Sequence, residues 1–221
     1  YGSDISHDYT LSAQAYDHST RLRSSLLHVF SAGNEGMAKG GVGPYAVLSG
    51  FANLTGGFKM AKNALVVAGV DSTGRLWPFS SRGPSADGRI KPDIAAFGQG
   101  GTSESAALVS AAAALLGQEL REQQGALPAA ALVRALLLTT AHDVGMTGPD
   151  FEYGYGLLDV AQAVSCARRK QYGQQQIQKG SPQKFPFEVE TGASRLQLTL
   201  TWDDLPGALT PQKSLQNDLD S

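Results

Sequence analysis

The chain has 221 residues, of which 42% are hydrophobic, so it is long enough to form a sizeable core, and global disorder is excluded. Its 18 Lys and Arg residues nearly balance its 20 Asp and Glu residues, which excludes a basic field for nucleic acid or for a membrane surface. The single cysteine, Cys166, excludes a disulfide framework and a cysteine-based zinc site, and the longest apolar stretch, 106–116, is too short to span a bilayer.

The first third of the chain predicts one helix and two buried strands. The polar residues Asp17–Thr20 offer capping groups for a helix over 21–27. Residues 26–32 and 64–70 are short apolar runs that predict buried strands. The first run ends in a turn that contains Asn34. Because α/β sheets bind ligands at the carboxyl ends of their strands, an amide side chain at this position is a candidate for a functional role.

A glycine cluster and a serine precede the longest predicted helix. Residues 76–80 predict a third short strand, and 90–96 lead into the cluster Gly98–Gly101. The helix predicted over 103–123 is apolar on almost every face, which indicates burial in the core. Ser103 at its start has two interpretations. It is either a helix N-cap, or a nucleophile beside unpaired N–H groups that stabilise an oxyanion.

Two further helices are predicted over 129–141 and 157–167. Strands that alternate with long apolar helices indicate an α/β fold with a largely parallel sheet. The composition then becomes polar and Gln-rich, and from residue 185 apolar and polar residues alternate, as in antiparallel strands. We therefore predict an α/β domain over 1–170, a linker over 171–184, and the beginning of a second domain over 185–221.

A series of sequence blocks, in a fixed order, resembles the subtilisin-like serine proteases, or subtilases. The blocks lie at 31–36 (Ser-Ala-Gly-Asn-Glu-Gly), 68–72, 79–84, 90–94, 101–103 (Gly-Thr-Ser) and 154–159. The resemblance implies a subtilisin-like parallel sheet with helices on both faces. The segment from residue 196, with Asp-Asp-Leu-Pro-Gly and Asn-Asp-Leu-Asp, resembles the start of the β-sandwich or jelly-roll domain that follows the protease domain in some larger subtilases.

This resemblance implies acyl transfer on a peptide or protein substrate, with no cofactor needed for the chemistry. Ser103 would be the nucleophile, and the Asn34 side chain and the Ser103 backbone N–H would form the oxyanion hole. Ser31, Ala32 and Gly33 would line one wall of the pocket for the residue before the scissile bond. The resemblance also implies a secreted or cell-envelope location.

The family's other two triad motifs, Asp-Thr-Gly or Asp-Ser-Gly and His-Gly-Thr-His, do not occur before Asn34. The chain has four histidines, His7, His18, His28 and His142, and none lies in such a histidine motif. This favours structural or surface roles for all four. The chain also begins with Tyr1 rather than Met. We therefore expect a fragment or processed product, whose missing N-terminal half lies in the parent or a partner chain, and which is inactive alone.

The residues around Ser103 depart from the family pattern. Glu104 replaces the usual methionine and Ala107 the usual proline, and we expect Glu104 to be solvated or ion-paired. Two other functions stay open. The chain is a catalytically incomplete scaffold or interaction module, or it is an esterase of the α/β-hydrolase type, for which His142 would be the base.

Calcium is common in the family, and four carboxylates near the end of the chain supply the hard oxygen ligands that calcium prefers. They belong to Asp203, Asp204, Asp218 and Asp220. No EF-hand-like spacing connects them, so surface carboxylates in turns are the favoured interpretation and no metal ligand is assigned.

Overall fold

The computed structural model describes residues 4–39, 45, 47–178, 180, 182, 184–186, 188–189, 191–209, 213–217 and 219. Its strands are β1 (Val29–Ser31), β2 (Leu65–Val70) and β3 (Ile94–Phe97). Its helices are α1 (Leu11–Leu22), α2 (Thr102–Gln124), α3 (Ala130–Thr139) and α4 (Val160–Arg168), and a 3₁₀ turn spans Gly57–Met60.

The three strands form one parallel sheet in the order β1-β2-β3, as the alternation of strands and helices predicts. Every residue of β2 is buried, which explains why this strand is an unbroken apolar run. Leu65 and Val67 join the large core cluster formed with α2, α3 and α4, and Val66 belongs to a cluster on the other face. On that second face α1 packs against Phe30 of β1, so helices cover both faces.

The prediction that α2 is buried on almost every side is wrong. The helix has one buried face, which packs on all three strands, and one exposed apolar face on which Leu108 and Leu115 are 42% and 53% exposed. Alanine makes this helix look uniformly apolar in sequence, but only the positions that face the sheet are covered. Each helix in the described part of the chain is too short or too polar to span a membrane.

The helix predicted over 21–27 is wrong except for its first two residues, because α1 spans Leu11–Leu22 and the chain after it is not helical. Thr10 is the N-cap of α1 and accepts a hydrogen bond from the backbone N–H of Ala13, so the supposed capping groups Asp17–Thr20 lie inside the helix. Asp17 is fully buried there because Tyr9 donates its hydroxyl to the carboxylate and Asn63 donates its backbone N–H. Tertiary partners therefore outweigh the weak helix propensity of aspartate.

The strand predicted over 76–80 is also wrong. Only Leu76 makes a bridge, with Val70, and the chain then enters a turn. Pro78 lacks a backbone N–H, so this segment cannot continue a ladder of hydrogen bonds.

The described residues after Arg168 contain no helix and no strand, so the truncated antiparallel sandwich is not supported. The alternating residues Leu196, Leu198 and Leu200 are all exposed, and Phe187 of the same pattern lies outside the described residues. Alternation stabilises a strand only where a neighbouring strand and a covering layer bury the apolar face. The domain boundary between 171 and 184 stays a prediction.

The segment 201–217 contacts the α/β part of the chain through buried ionic groups. Arg134 of α3 donates to the carbonyl oxygen of Trp202 at 2.6 Å and lies 3.5 Å from the Asp203 carboxylate. The Lys62 ammonium lies 3.2 Å from Asp204 Oδ2. Asp203 and Asp204 are thus largely buried and ion-paired, so the interpretation of these two as surface carboxylates is wrong. Asp218 and Asp220 lie outside the described residues.

Candidate active site

The carboxyl ends of β1 and β3 bring Asn34 and the start of α2 together. Asn34 Oδ1 accepts one hydrogen bond from the backbone N–H of Thr102 at 3.1 Å and another from the Thr102 hydroxyl at 2.9 Å. Thr102 directly precedes Ser103, so the two residues proposed from sequence for the oxyanion hole lie side by side. The Asn34 amide nitrogen donates no hydrogen bond to any described residue, and Asn34 is exposed.

Two glycines allow this approach. Gly33 has a φ of +118°, and a Cβ there would collide with the Thr55 hydroxyl and lie 2.9 Å from Ser81 Oγ. Gly101 has a φ of +152°, and a Cβ there would lie 3.3 Å from the amide nitrogen of Asn34. Both positions therefore need the backbone freedom and the missing side chain of glycine.

Thr102 is a site residue that the sequence interpretation missed. It is fully buried, and its hydroxyl accepts a hydrogen bond from the backbone N–H of Gly33 at 3.2 Å while donating to Asn34. One hydroxyl thus fixes both the main chain of the turn after β1 and the side chain of Asn34. The sequence signal was its place in the Gly-Thr-Ser block, beside the serine.

Ser103 is not the cap of α2. The N-cap is Gly101, and Ser103 is the second helical residue, with its side chain exposed. The interpretation of Ser103 as an N-cap is therefore wrong. Its backbone N–H is among the first-turn donors that have no partner within the helix, and the positive end of the helix dipole lies at the same place.

The three residues expected to line a pocket wall lie at the end of β1 and in the turn after it. Ala32 and Gly33 are buried and Ser31 is half-buried. Ala32 donates its backbone N–H to Val67 and accepts at its carbonyl from Thr55, so the main chain of this wall is fixed on both sides.

Glu104 is exposed, and its carboxylate accepts hydrogen bonds from the loop before Ser103 rather than pairing with a cation among the described residues. Its Oε2 accepts hydrogen bonds from the backbone N–H of Gln99 at 2.7 Å and of Gly100 at 3.0 Å. The carboxylate sits in the first turn of α2, where the helix dipole favours negative charge, and it fixes the glycine loop that precedes Ser103.

Within the described residues, Ser103 makes no side-chain hydrogen bond with any of the four histidines. His28 precedes β1, at the end of the sheet opposite Asn34, and lies 3.3 Å from Ser19 Oγ. Burial lowers the pKa of His28, although the Asp17 carboxylate opposes this shift. His142 is exposed and pairs through its backbone with Leu157, so nothing supports it as an esterase base.

Comparison with solved structures finds protease domains of the same fold. The chain is similar to the patellamide maturation protease PatA, with 23% identity and a TM-score of 0.56 over 76% of this chain and 60% of that one. A lanthipeptide protease matches with 21% identity and a TM-score of 0.57, over 75% of this chain and 60% of that one. The self-cleaved protease domain of PatA matches with 24% identity and a TM-score of 0.53, over 71% of this chain and 55% of that one.

The chain thus spans about 55–60% of the length of these solved domains, and at such identities the likeness concerns the fold alone. No curated protein matches the chain. A model of the subtilase family, the peptidase family S8, matches residues 2–156, which include the turn after β1, the glycine loop and Ser103. The chain belongs to the subtilase family, whose members are serine proteases.

Proposed function

We propose that the chain supplies the nucleophile and the oxyanion hole of a serine endopeptidase. The observation that carries the proposal is the pair of hydrogen bonds from Thr102 to Asn34 Oδ1, which holds the amide at the start of α2 with its nitrogen unpaired among the described residues. Family membership supports hydrolysis of a peptide bond, and the exposed Ser103 hydroxyl is the candidate nucleophile.

In this mechanism the Ser103 oxygen attacks the carbonyl carbon of the scissile peptide bond while a histidine takes its proton. The carbonyl oxygen becomes an oxyanion and accepts hydrogen bonds from Asn34 Nδ2 and the Ser103 backbone N–H. The carbon–nitrogen bond then breaks, the histidine returns the proton to the amine, and water hydrolyses the acyl-enzyme. The reaction requires no cofactor. Ser31, Ala32 and Gly33 form one wall of the pocket for the residue before this bond.

The histidine and its aspartate come from polypeptide that contacts this chain at the open edge of β1. A groove of about 910 Å³ lies there, between Leu26 and Val29 on one side and Ala113 and Ala114 of α2 on the other. β1 has no second neighbour among the described strands, so its backbone groups can accept a further strand. We therefore expect the chain alone to be inactive. Secretion is compatible with a buried free cysteine, Cys166, and stays a prediction.

The test is labelling with a small fluorophosphonate, which reacts with an activated serine. We expect the intact natural protein to be labelled on Ser103, as peptide mass spectrometry would show, and the Ser103→Ala variant to lose that label. Ser110→Ala is the matched control, because Ser110 lies on the same helix and donates its hydroxyl to the helix backbone. Equal labelling of the natural protein and of Ser103→Ala would overturn the proposal.

A second candidate function is a non-catalytic subtilase-like scaffold. The absence of a histidine beside Ser103 in the described part of the chain favours it, as does the engagement of Glu104 with the glycine loop. This candidate predicts that the intact natural protein is folded but unreactive toward the fluorophosphonate.

A further inference from the structure

Lys59 is a buried cation that has no anionic partner among the described residues, and it lies behind the proposed pocket wall. The residue is 3% exposed, and its ammonium donates to the Thr55 hydroxyl at 2.8 Å. The ring of Phe58 lies 5.7 Å from the ammonium, which adds only a weak attraction. A buried lysine is normally paired with a carboxylate, because desolvation of the charge is costly.

The other well-buried cations of the described chain follow that rule. Each lies within 3.6 Å of a carboxylate, in the pairs Lys62 with Asp17 and Asp204, Lys91 with Asp93, and Arg134 with Asp203. Lys59 makes no such pair with any described residue, and burial alone lowers its pKa to about 8. Its ammonium therefore keeps an unneutralised positive charge at neutral pH.

Thr55 connects this charge to the wall of the pocket. Its hydroxyl, which accepts from Lys59, fills the space that a side chain at Gly33 would occupy. Its backbone N–H donates to the carbonyl oxygen of Ala32 at 3.2 Å. The ammonium is thus separated from the main chain of the wall by a single hydroxyl group.

We propose that Lys59 makes the pocket bounded by Ala32 and Gly33 select an acidic side chain, Asp or Glu, in the substrate residue immediately before the scissile bond. The inference rests on the proposed function, since the pocket is defined relative to attack by Ser103. An unpaired cation in a poorly solvated site acts on a carboxylate with little screening. A basic substrate side chain in the same pocket is repelled for the same reason.

The experiment uses peptidyl phosphonate diphenyl esters that react with the serine and differ only in the side chain that enters this pocket. Glutamate and glutamine analogues form the decisive pair, because they have nearly the same shape and differ in charge. We expect the intact natural protein to react with the glutamate probe faster by roughly tenfold. Lys59→Met should abolish this preference, and Lys184→Met, at an exposed lysine, should preserve it.

Equal rates for the two probes in the natural protein, or a preference that survives in Lys59→Met, would overturn the inference. Reaction of Ser103 with the small fluorophosphonate separates this result from failure of the proposed function. If Ser103 is labelled but the glutamate and glutamine phosphonates react at equal rates, only the role of Lys59 is contradicted. Unlabelled Ser103 contradicts both proposals. Circular dichroism of Lys59→Met verifies that the variant is folded, and Lys59→Gln repeats the test with a polar neutral side chain.

Discussion

The Asn34 side-chain oxygen accepts hydrogen bonds from both the backbone N–H and the hydroxyl of Thr102, at 3.1 and 2.9 Å. With its oxygen held in this way, the amide can present only its nitrogen to a ligand. The same threonine hydroxyl accepts from the N–H of Gly33, so the turn after β1 and the start of α2 are fixed to each other. Such fixed donors are what stabilisation of an oxyanion requires.

We predict that Thr102→Val slows fluorophosphonate labelling of Ser103 in the intact natural protein by about tenfold. The variant keeps the shape of the side chain but removes one of the two hydrogen bonds that orient Asn34, and it leaves the buried N–H of Gly33 without its acceptor. The free energy of unfolding should therefore fall by about 1–3 kcal/mol in urea titrations. Thr102→Ser keeps the hydroxyl and should retain most of both properties. Normal labelling of Thr102→Val would contradict the orienting role.

Asn34→Ala removes a proposed oxyanion donor and should lower kcat for peptide hydrolysis with little change in KM. The expected factor, about 10²–10³, is the one known for the oxyanion-hole asparagine of subtilisin, a member of the same family. Glu35→Ala, at the exposed neighbouring residue, is the matched control. The idea fails if steady-state kinetics show the same kcat for both variants.

Lys62→Met should destabilise the protein by about 3–5 kcal/mol in urea unfolding. The ammonium lies 3.6 Å from Asp17 and 3.2 Å from Asp204, and its loss leaves two buried carboxylates without a cation. It also donates to the carbonyl oxygens of Leu205 and Ser214, so hydrogen exchange should become faster in the segment 204–217.

The matched control is Arg168→Ala. Arg168 is 67% exposed and pairs with Glu119, so its loss should cost at most about 1 kcal/mol. Similar destabilisation by both variants would show that Lys62 has no special role in holding the C-terminal segment.

Acid should weaken the fold between about pH 4 and pH 2, in part through Asp87. Burial raises the pKa of this carboxyl, but Arg89 and the hydrogen bonds from Ser85 and Ser214 outweigh that effect and lower the pKa from 3.8 to about 2. The folded protein therefore binds fewer protons than the unfolded chain in this window, and stability falls as the pH falls.

The expected loss from this one group is about 2 kcal/mol. Urea unfolding from pH 2 to pH 6 measures how the free energy of unfolding changes with pH. Asp87→Asn should remove the part of this slope that Asp87 contributes. Asp8→Asn, at an exposed carboxylate, should leave the slope nearly unchanged. A slope that Asp87→Asn does not alter would contradict the assignment.

The sequence by itself determined the buried strand β2 and the family. The unbroken apolar run over 64–70 predicted β2, because a strand covered on both faces has no polar side, and the ordered blocks indicated a subtilase fold that the family match confirms. The run over 26–32 also predicted a buried strand, but β1 is shorter and its residues are only half-buried. Asn34 and Ser103 were named from those blocks. That they lie close together was an expectation, since no local pattern specifies how two residues 69 positions apart in the chain meet in space.

Tertiary structure decided the rest, because it alone sets what faces each side chain. Asp17 is a capping residue by type, yet it lies buried in α1, where Tyr9 and Asn63 satisfy its carboxylate. The apolar alternation after residue 185 predicts strands, but without a covering layer the described residues form none. In the sequence, Lys59 is one polar residue among others in a glycine-rich stretch. Only the tertiary packing shows that its ammonium is shielded from water and has no carboxylate partner among the described residues.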